Sequence, residues 1–198
     1  MHAAPPDDTA QRILQCARDL FLTEGAAGLS MRKVASAAGI SATAIYRHYE
    51  DRQTLLFAVA DEGFRRFGLE LYRGLEGADP MARLVLTGEG YVRFALQNPA
   101  YYRVIFMSDT RAISHFAAES QRRFRPTLQF LVDRVRECQD GGLLAAGEPH
   151  GLSLSIWAQC HGLVSLWLDG HLKSLAEPRA FEAFFLHSVR AMLRGLAT

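Results

Sequence analysis

The stretch LSMRKVASAAGISATAIYRHY, residues 29–49, reads as two short helices around a tight turn. Ser30 suits the cap of the first, because a hydroxyl placed before a helical run accepts from its free backbone N–H groups. Val34, Ala35 and Ala38 then fall on one narrow apolar face. Gly39 comes next, where the chain must reverse, a place that asks for positive φ. Ile40 turns back toward the core, and Ser41 offers a second N-cap. In the second helix Ile45 is the inward anchor, with Thr43 and Arg47 opposite it and Ala44 and Tyr46 on the flanks. A face of small, hydroxyl, aromatic and cationic residues suits the floor of a DNA major groove.

Helix–turn–helix shapes also arise from packing alone, so charge is the second criterion. Residues 29–49 hold Arg32, Lys33, Arg47 and His48 and no carboxylate, in a chain whose formal net charge is only +1. Such a balance argues against a protein that coats nucleic acid indiscriminately and leaves any DNA binding to a local basic patch.

These residues, continued by Tyr49, Arg52 and Leu55-Leu56, resemble the DNA-binding domain of TetR-type (tetracycline-repressor-like) regulators. The resemblance covers roughly Thr9 to Phe67, and its Tyr-x-His-aromatic end is specific. It implies an all-α chain: a three-helix head with a helix–turn–helix at 30–49, a linking helix, and a larger ligand-binding and dimerising helical domain. It also implies double-stranded operator DNA as partner, with Arg32, Ala42, Thr43 and Tyr46 in or near the groove and Ser30, Ser41, Tyr46, His48 and Arg52 on phosphates. Where this family usually has Lys, the chain has Arg52, which keeps the charge. Arg32, with its bidentate fork, is the expected guanine contact.

The chain has 198 residues, 49% of them hydrophobic, enough to bury a sizeable core in one large domain or two small ones. Cys16, Cys138 and Cys160 are odd in number and scattered, without metal-ligand spacing, which points to no disulfide framework, no zinc and a reducing cytoplasm. No basic-then-apolar leader opens residues 1–8, and no run of about 18 apolar residues exists to span a membrane. The expectation is a soluble cytoplasmic protein without a cofactor.

Helical spacing continues along the chain. The first helix, with Ile13, Leu14, Ala17, Leu20 and Phe21 inward, should end at Gly25. A helix from Asp51 carries Leu55, Leu56, Val59, Ala60, Phe64 and Phe67, and Gly74 to Asp79 breaks it. These limits place a head at 9–68 and a C-terminal domain at 80–196. Asp79-Pro80 opens the next helix, Asn98-Pro99 closes it, and Tyr101 to Phe106 begins a short aromatic one. Arg111 to Phe124 is helical by pattern, and Pro126 either kinks that helix or starts another. Glu148-Pro149 and Pro178 open the last two.

Those last two helices are apolar on more than one side, which suits a homodimer closed by a four-helix contact. Two heads related by a two-fold axis would read a palindromic operator. Tyr91, Phe94, Tyr101, Tyr102, Phe106, Phe124, Phe130 and Trp157, with Cys160 and His161 beside them, outnumber what plain packing asks. Singly, each reads first as core; together they suggest a mostly apolar small-molecule site, with Tyr91, Phe94, Tyr102, Phe106, Phe130, Trp157 and His161 as its expected contacts. Trp157 to Leu166 resembles the Trp-His-Gly motif of one C-terminal subgroup of the same regulators, and Asn98 to Phe106 is similar to that subgroup too. The expected function is a ligand-responsive regulator, a repressor released by a small apolar or aromatic effector of unknown identity. The alternative is a helical binding module or an enzyme without a DNA target. Adjacent Cys160 and His161 point about 100° apart on a helix and cannot act as a nucleophile–base pair, and no GxSxG, phosphate loop or metal spacing appears.

Overall fold

The computed structural model describes residues 8–107, 114–172, 174 and 177–197, with the side chains of 114–121 and 123 undescribed. The part of the expected Arg111–Phe124 helix before Ser114, and the first seven residues, lie outside the described residues. Among the described residues every regular element is helical: α1 (Asp8–Gly28), α2 (Met31–Ala37), a 3-10 turn (Ala44–Arg47), α3 (Arg52–Tyr72), a second 3-10 turn (Arg73–Glu76), α4 (Pro80–Gln97), α5 (Pro99–Tyr102) running into a π turn (Arg103–Met107), α6 (Ser114–Asp140), α7 (Pro149–Leu168) and α8 (Pro178–Gly195). None of the described helices is long and apolar enough to cross a membrane. The chain divides into two compact units, Met1–Gly63 with Ala100–Ala117, and Phe64–Pro99 with Ala118–Thr198.

In the first unit α1 buries Ile13, Ala17 and Phe21, one face at four-residue spacing. Gly25, at φ 72°, breaks its helical geometry three residues before the helical turn ends at Gly28. Arg12 Nε donates to the Ala38 carbonyl at 3.1 Å and ties α1 to the end of α2. Arg18 lies 3.5 Å from Glu62 of α3. The segment after Pro99 belongs to this unit because Tyr101 fits it: its ring lies 5.5 Å from Phe21, and a Cβ on Gly63 would stand 2.6 Å from that same ring. Sequence spacing alone places Tyr101 and its neighbours in the C-terminal part; the aromatic contact draws them to the head.

In the second unit α4 is the centre, packed on the Arg73–Glu76 turn, α7 and α8. Asp79 Oδ1 accepts from Ala82 N–H at 2.8 Å with Pro80 in the first turn. Phe67 of α3 meets Tyr91 edge-on at 5.7 Å and Phe94 at 5.1 Å. Here α6 is continuous through Pro126, so that proline sits inside one helix and does not start another. Its end is held by Gly142 at φ 67° and by Leu143 N–H donating to Cys138 O at 2.8 Å. Arg134, nearly buried, donates two hydrogen bonds to Glu137. Those bonds, with Arg83 behind them, hold the Glu137 carboxyl below its ordinary range. Glu148 caps α7 through the N–H groups of His150 and Gly151. On α8, Phe181, Phe185, Val189 and Leu193 form the buried stripe.

Candidate nucleic-acid interface and effector cavity

The head builds its exposed face from local rules. Ser30 is extended (φ −136°, ψ 147°), and its Oγ accepts from Lys33 N–H at 3.3 Å. Gly39 takes φ 66°, which lets Ile40 N–H reach back to Ala35 O at 3.0 Å. Ser41 Oγ accepts from Ala44 N–H at 3.1 Å, but Ser41 is not the N-cap expected from sequence: Thr43 holds that place and makes no side-chain cap bond. The second helix is shorter than expected, a 3-10 turn of four residues, Ala44–Arg47. Ile45, Tyr46, Arg47 and His48 include three poor helix formers, and a segment this short does not repay α-helix nucleation; short 3-10 pieces are the usual result.

Ile45 is fully buried beneath the turn, so the residues around it face outward. Ser41, Ala42, Thr43 and Arg47 are exposed, as is Arg32 on α2, and Tyr46 is 55% exposed. His48 and Ser30 are less open. Arg32 and Arg47 make no hydrogen bond or ion pair among the described residues. Arg47 therefore joins the exposed set, a residue that sequence reading places on the open face without assigning it a contact.

Two expectations about charge change in three dimensions. Residues 29–49 are acid-free as sequence, yet Glu24 of α1 reaches Lys33 at 2.5 Å, so that cation is partly neutralised by a neighbour outside the stretch. Arg52, expected on a phosphate, turns inward: Nε donates to Leu29 O at 2.7 Å and Nη2 to Ala26 O. The guanidinium thus pins the start of α3 to the loop that leads into α2. It acts as a clamp with two fixed donors, a geometry that one ammonium cannot copy. Arg52→Lys should accordingly weaken operator binding about tenfold or more while leaving the dependence of log K on log salt unchanged, measured by fluorescence anisotropy. A flatter slope would mean that a phosphate contact had been lost.

The second unit holds an apolar cavity of about 40 Å³. Its wall comes from the second half of α3 (Phe67, Leu71), from α4 (Leu84, Thr87, Gly88, Tyr91), from α6 (Phe124, Thr127, Leu128, Leu131), from α7 (Ile156, Trp157, Cys160) and from α8 (Val189, Leu193). Of the expected contacts, Tyr91 and Trp157 line it. His161 stands behind them, its Nδ1 3.4 Å from the Tyr91 hydroxyl and its ring 5.3 Å from Trp157. The other four do not line it. Phe94 is fully buried in the contact with Phe67. Phe130 turns to Tyr72 at 5.1 Å and carries the Arg134 guanidinium on its face at 4.6 Å. Tyr102 and Phe106 pack on each other at 4.9 Å, in the first unit. Sequence reading misses Leu71, Leu128, Val189 and Leu193 as wall residues, because aliphatic lining carries no mark that separates it from core. It also misses Thr87, whose hydroxyl serves its own helix.

Burial pushes the Cys160 thiol up to about 12 and the Cys138 thiol up to about 11, so both stay protonated at neutral pH and neither is a nucleophile. The described residues contain no cluster that could hold a metal ion.

The family model described as bacterial regulatory proteins of the tetR family matches residues 13–59. The model for the tetracyclin repressor-like C-terminal domain matches 84–192, more than half of the chain. The chain belongs to the TetR family. That family and the curated relatives are transcriptional regulators, and the matched head carries the helix–turn–helix DNA-binding segment. Relatives include the HTH-type transcriptional regulator UidR of Escherichia coli, 25% identical over 96% of this chain and 93% of that one. An uncharacterized HTH-type transcriptional regulator of Mycobacterium tuberculosis is 33% identical, but over 46% of each chain, so the match spans about half of that relative's length. Among solved structures, a protein of unknown function from Rhodococcus sp. RHA1 superposes with TM-score 0.80 at 26% identity over the whole of both chains. The fatty acid degradation regulator FadR of Bacillus halodurans shares the fold, with TM-score 0.74 at 14% identity over 96% of each chain.

Proposed function

We propose that this TetR-family regulator is a ligand-responsive repressor that binds a palindromic operator as a homodimer and is released by a small apolar effector. The observation that carries the reading is the cavity in the C-terminal unit, whose wall among the described residues is apolar and carries no charged side chain. The proposed division is a DNA-binding head at 9–68 and an effector and dimerisation part at 80–196, apart from residues 100–107, which fall in the head's compact unit.

In the head, Arg32, Ala42, Thr43 and Tyr46 serve the groove, joined by Arg47, which shares their exposure. Ser30, Ser41, Tyr46 and His48 serve phosphates. The two serine oxygens already accept from their caps, which leaves each O–H to donate. Arg52 supports this surface from below. Phosphate contacts set register, and base-edge contacts carry sequence. Arg32→Ala should therefore cost roughly 1–3 kcal/mol of operator affinity and relax specificity at one base pair per half-site. Uniform weakening over all sequences would move Arg32 to the phosphates.

For the dimer, α7 presents Leu154, Ala158, Gly162 and Leu166 at four-residue spacing, with Leu154 38% and Leu166 44% exposed. Phe184 of α8 is 39% exposed, and Gln159 Nε2 donates to Ser188 O across the two helices at 3.3 Å. A large–small–small–large ridge lets a second copy approach closely and bury both helices in a four-helix contact.

The test is selection of random duplex DNA by the purified protein at about 150 mM salt, where non-specific binding is weakened. An enriched inverted repeat with half-sites about one helical turn apart is the expected result. An enriched single half-site would overturn the homodimer, and no enrichment would overturn the operator reading.

A further inference from the structure

We propose that the cavity selects an electrically neutral, slender apolar molecule with one hydrogen-bonding end, and that it turns away carboxylates and ammonium ions. The inference rests on the reading of the cavity as an effector site and adds the chemistry of what enters.

Among the described residues no Asp, Glu, Lys or Arg lines the wall. Three cations of the wall helices hold carboxylates elsewhere: Arg83 and Arg134 both meet Glu137, at 3.5 and 2.7 Å, and Arg190 meets Glu89 at 3.2 Å. Arg125 and Arg194 are exposed and do not line the wall. A charged ligand would therefore leave water without finding an opposite charge, which is strongly unfavourable. Two of the wall's hydroxyls are also committed. Thr87 Oγ1 donates to Arg83 O at 2.8 Å and Thr127 Oγ1 to Phe124 O at 2.7 Å, so both serve their own helices.

The Tyr91 phenol is different, because its partner is an imidazole. His161 Nδ1 lies 3.4 Å from the phenol oxygen, and Nε2 lies 3.4 Å from Ser165 Oγ on the far side. Burial pushes His161 down from its ordinary range, so the ring is neutral at pH 7 and carries one N–H and one lone pair. With the lone pair toward Tyr91, the phenol donates to His161 and accepts from a ligand. With the N–H toward it, the phenol accepts from His161 and donates to a ligand. One neutral polar end, donor or acceptor, is thereby satisfied. Size argues for slenderness: about 40 Å³ is far below the roughly 300–1,000 Å³ of pockets that enclose drug-sized molecules.

The experiment uses the full chain carrying Trp167→Phe. The sequence holds two tryptophans, so Trp157 in the wall becomes the only indole. Its emission is followed at pH 7.5 during titration with 1-propanol, propanoate and propylammonium, equal short chains that differ in charge. A saturable response to propanol, with each charged probe at least tenfold weaker, is expected. Gly88→Leu should abolish the propanol response while the helical circular dichroism stays intact, because its side chain stands in the cavity. Propanoate or propylammonium binding within tenfold of propanol overturns the selectivity and leaves the effector site standing. Saturation by none of the three overturns both, and a propanol response that survives Gly88→Leu places binding elsewhere and overturns the proposal.

Discussion

Gly162→Arg should turn the protein into a folded monomer that has lost operator binding. Gly162 lies in the exposed ridge of α7, and a Cβ built there meets nothing within 4 Å. Inside one protomer the substitution is therefore harmless. It even favours the helix, since Gly costs a helix interior about 0.8–1 kcal/mol relative to good helix formers. At a two-fold contact the same atom is opposed by the partner's ridge, and two arginines brought together bury like charges without counter-ions. Light scattering should then read 22.0 kDa, where the proposed dimer of the unchanged chain should read twice that mass. Operator affinity should fall by about 100-fold or more, the usual gain of making a second binding event intramolecular. A dimer that persists with unchanged affinity would remove α7 from the interface.

The legibility of these features in the residues depends on how far each interaction reaches along the chain. Ser30 and Gly39 act on neighbours within five residues, and the structure uses both as expected from their type, while Ser41 accepts from Ala44 N–H from two positions before the cap residue Thr43. Asp79 and Glu148 cap α4 and α7 for the same reason. The kind of helix at Ala44–Arg47 was less legible, because apolar spacing marks a buried Ile45 equally well in an α or a 3-10 turn. Contacts over longer separation were not legible at all. Arg52 looks the same in sequence whether it meets a phosphate or the carbonyls of Ala26 and Leu29, and Lys33 gives no sign of Glu24 nine positions before it. Aromatic rings posed a similar difficulty. Tyr91, Phe94 and Phe130 share the residue class, but only the packing of α3 and α6 decides that Tyr91 meets the cavity while Phe94 and Phe130 meet Phe67 and Tyr72.

That packing depends on how closely α3 and α4 approach, and the approach depends on Gly90. A Cβ there would stand 2.2 Å from the carbonyl oxygen of Glu70 and 2.8 Å from its carbon. Both are backbone atoms of α3, so no side-chain rotation relieves the clash and the two helices must separate. The contact is fastened on either side by Arg93, 3.3 Å from Glu70, and by Phe67 against Tyr91 and Phe94, and separation would loosen all of them. Gly90→Ala should therefore destabilise the protein by about 2 kcal/mol despite the better helix propensity of Ala, within the usual range for overpacking. The unfolding midpoint should fall by roughly 4–8 °C in differential scanning calorimetry. Gly88→Ala on the same helix is the matched control, since its Cβ meets only Val189 Cγ1 at 3.7 Å, an ordinary contact. There propensity alone should act and raise stability by about 0.5–1 kcal/mol. Equal effects at the two positions would mean that α3 and α4 are not in close contact at Gly90. Opposite signs would show that a glycine which carries no chemistry sets the spacing of two of the helices that wall the cavity.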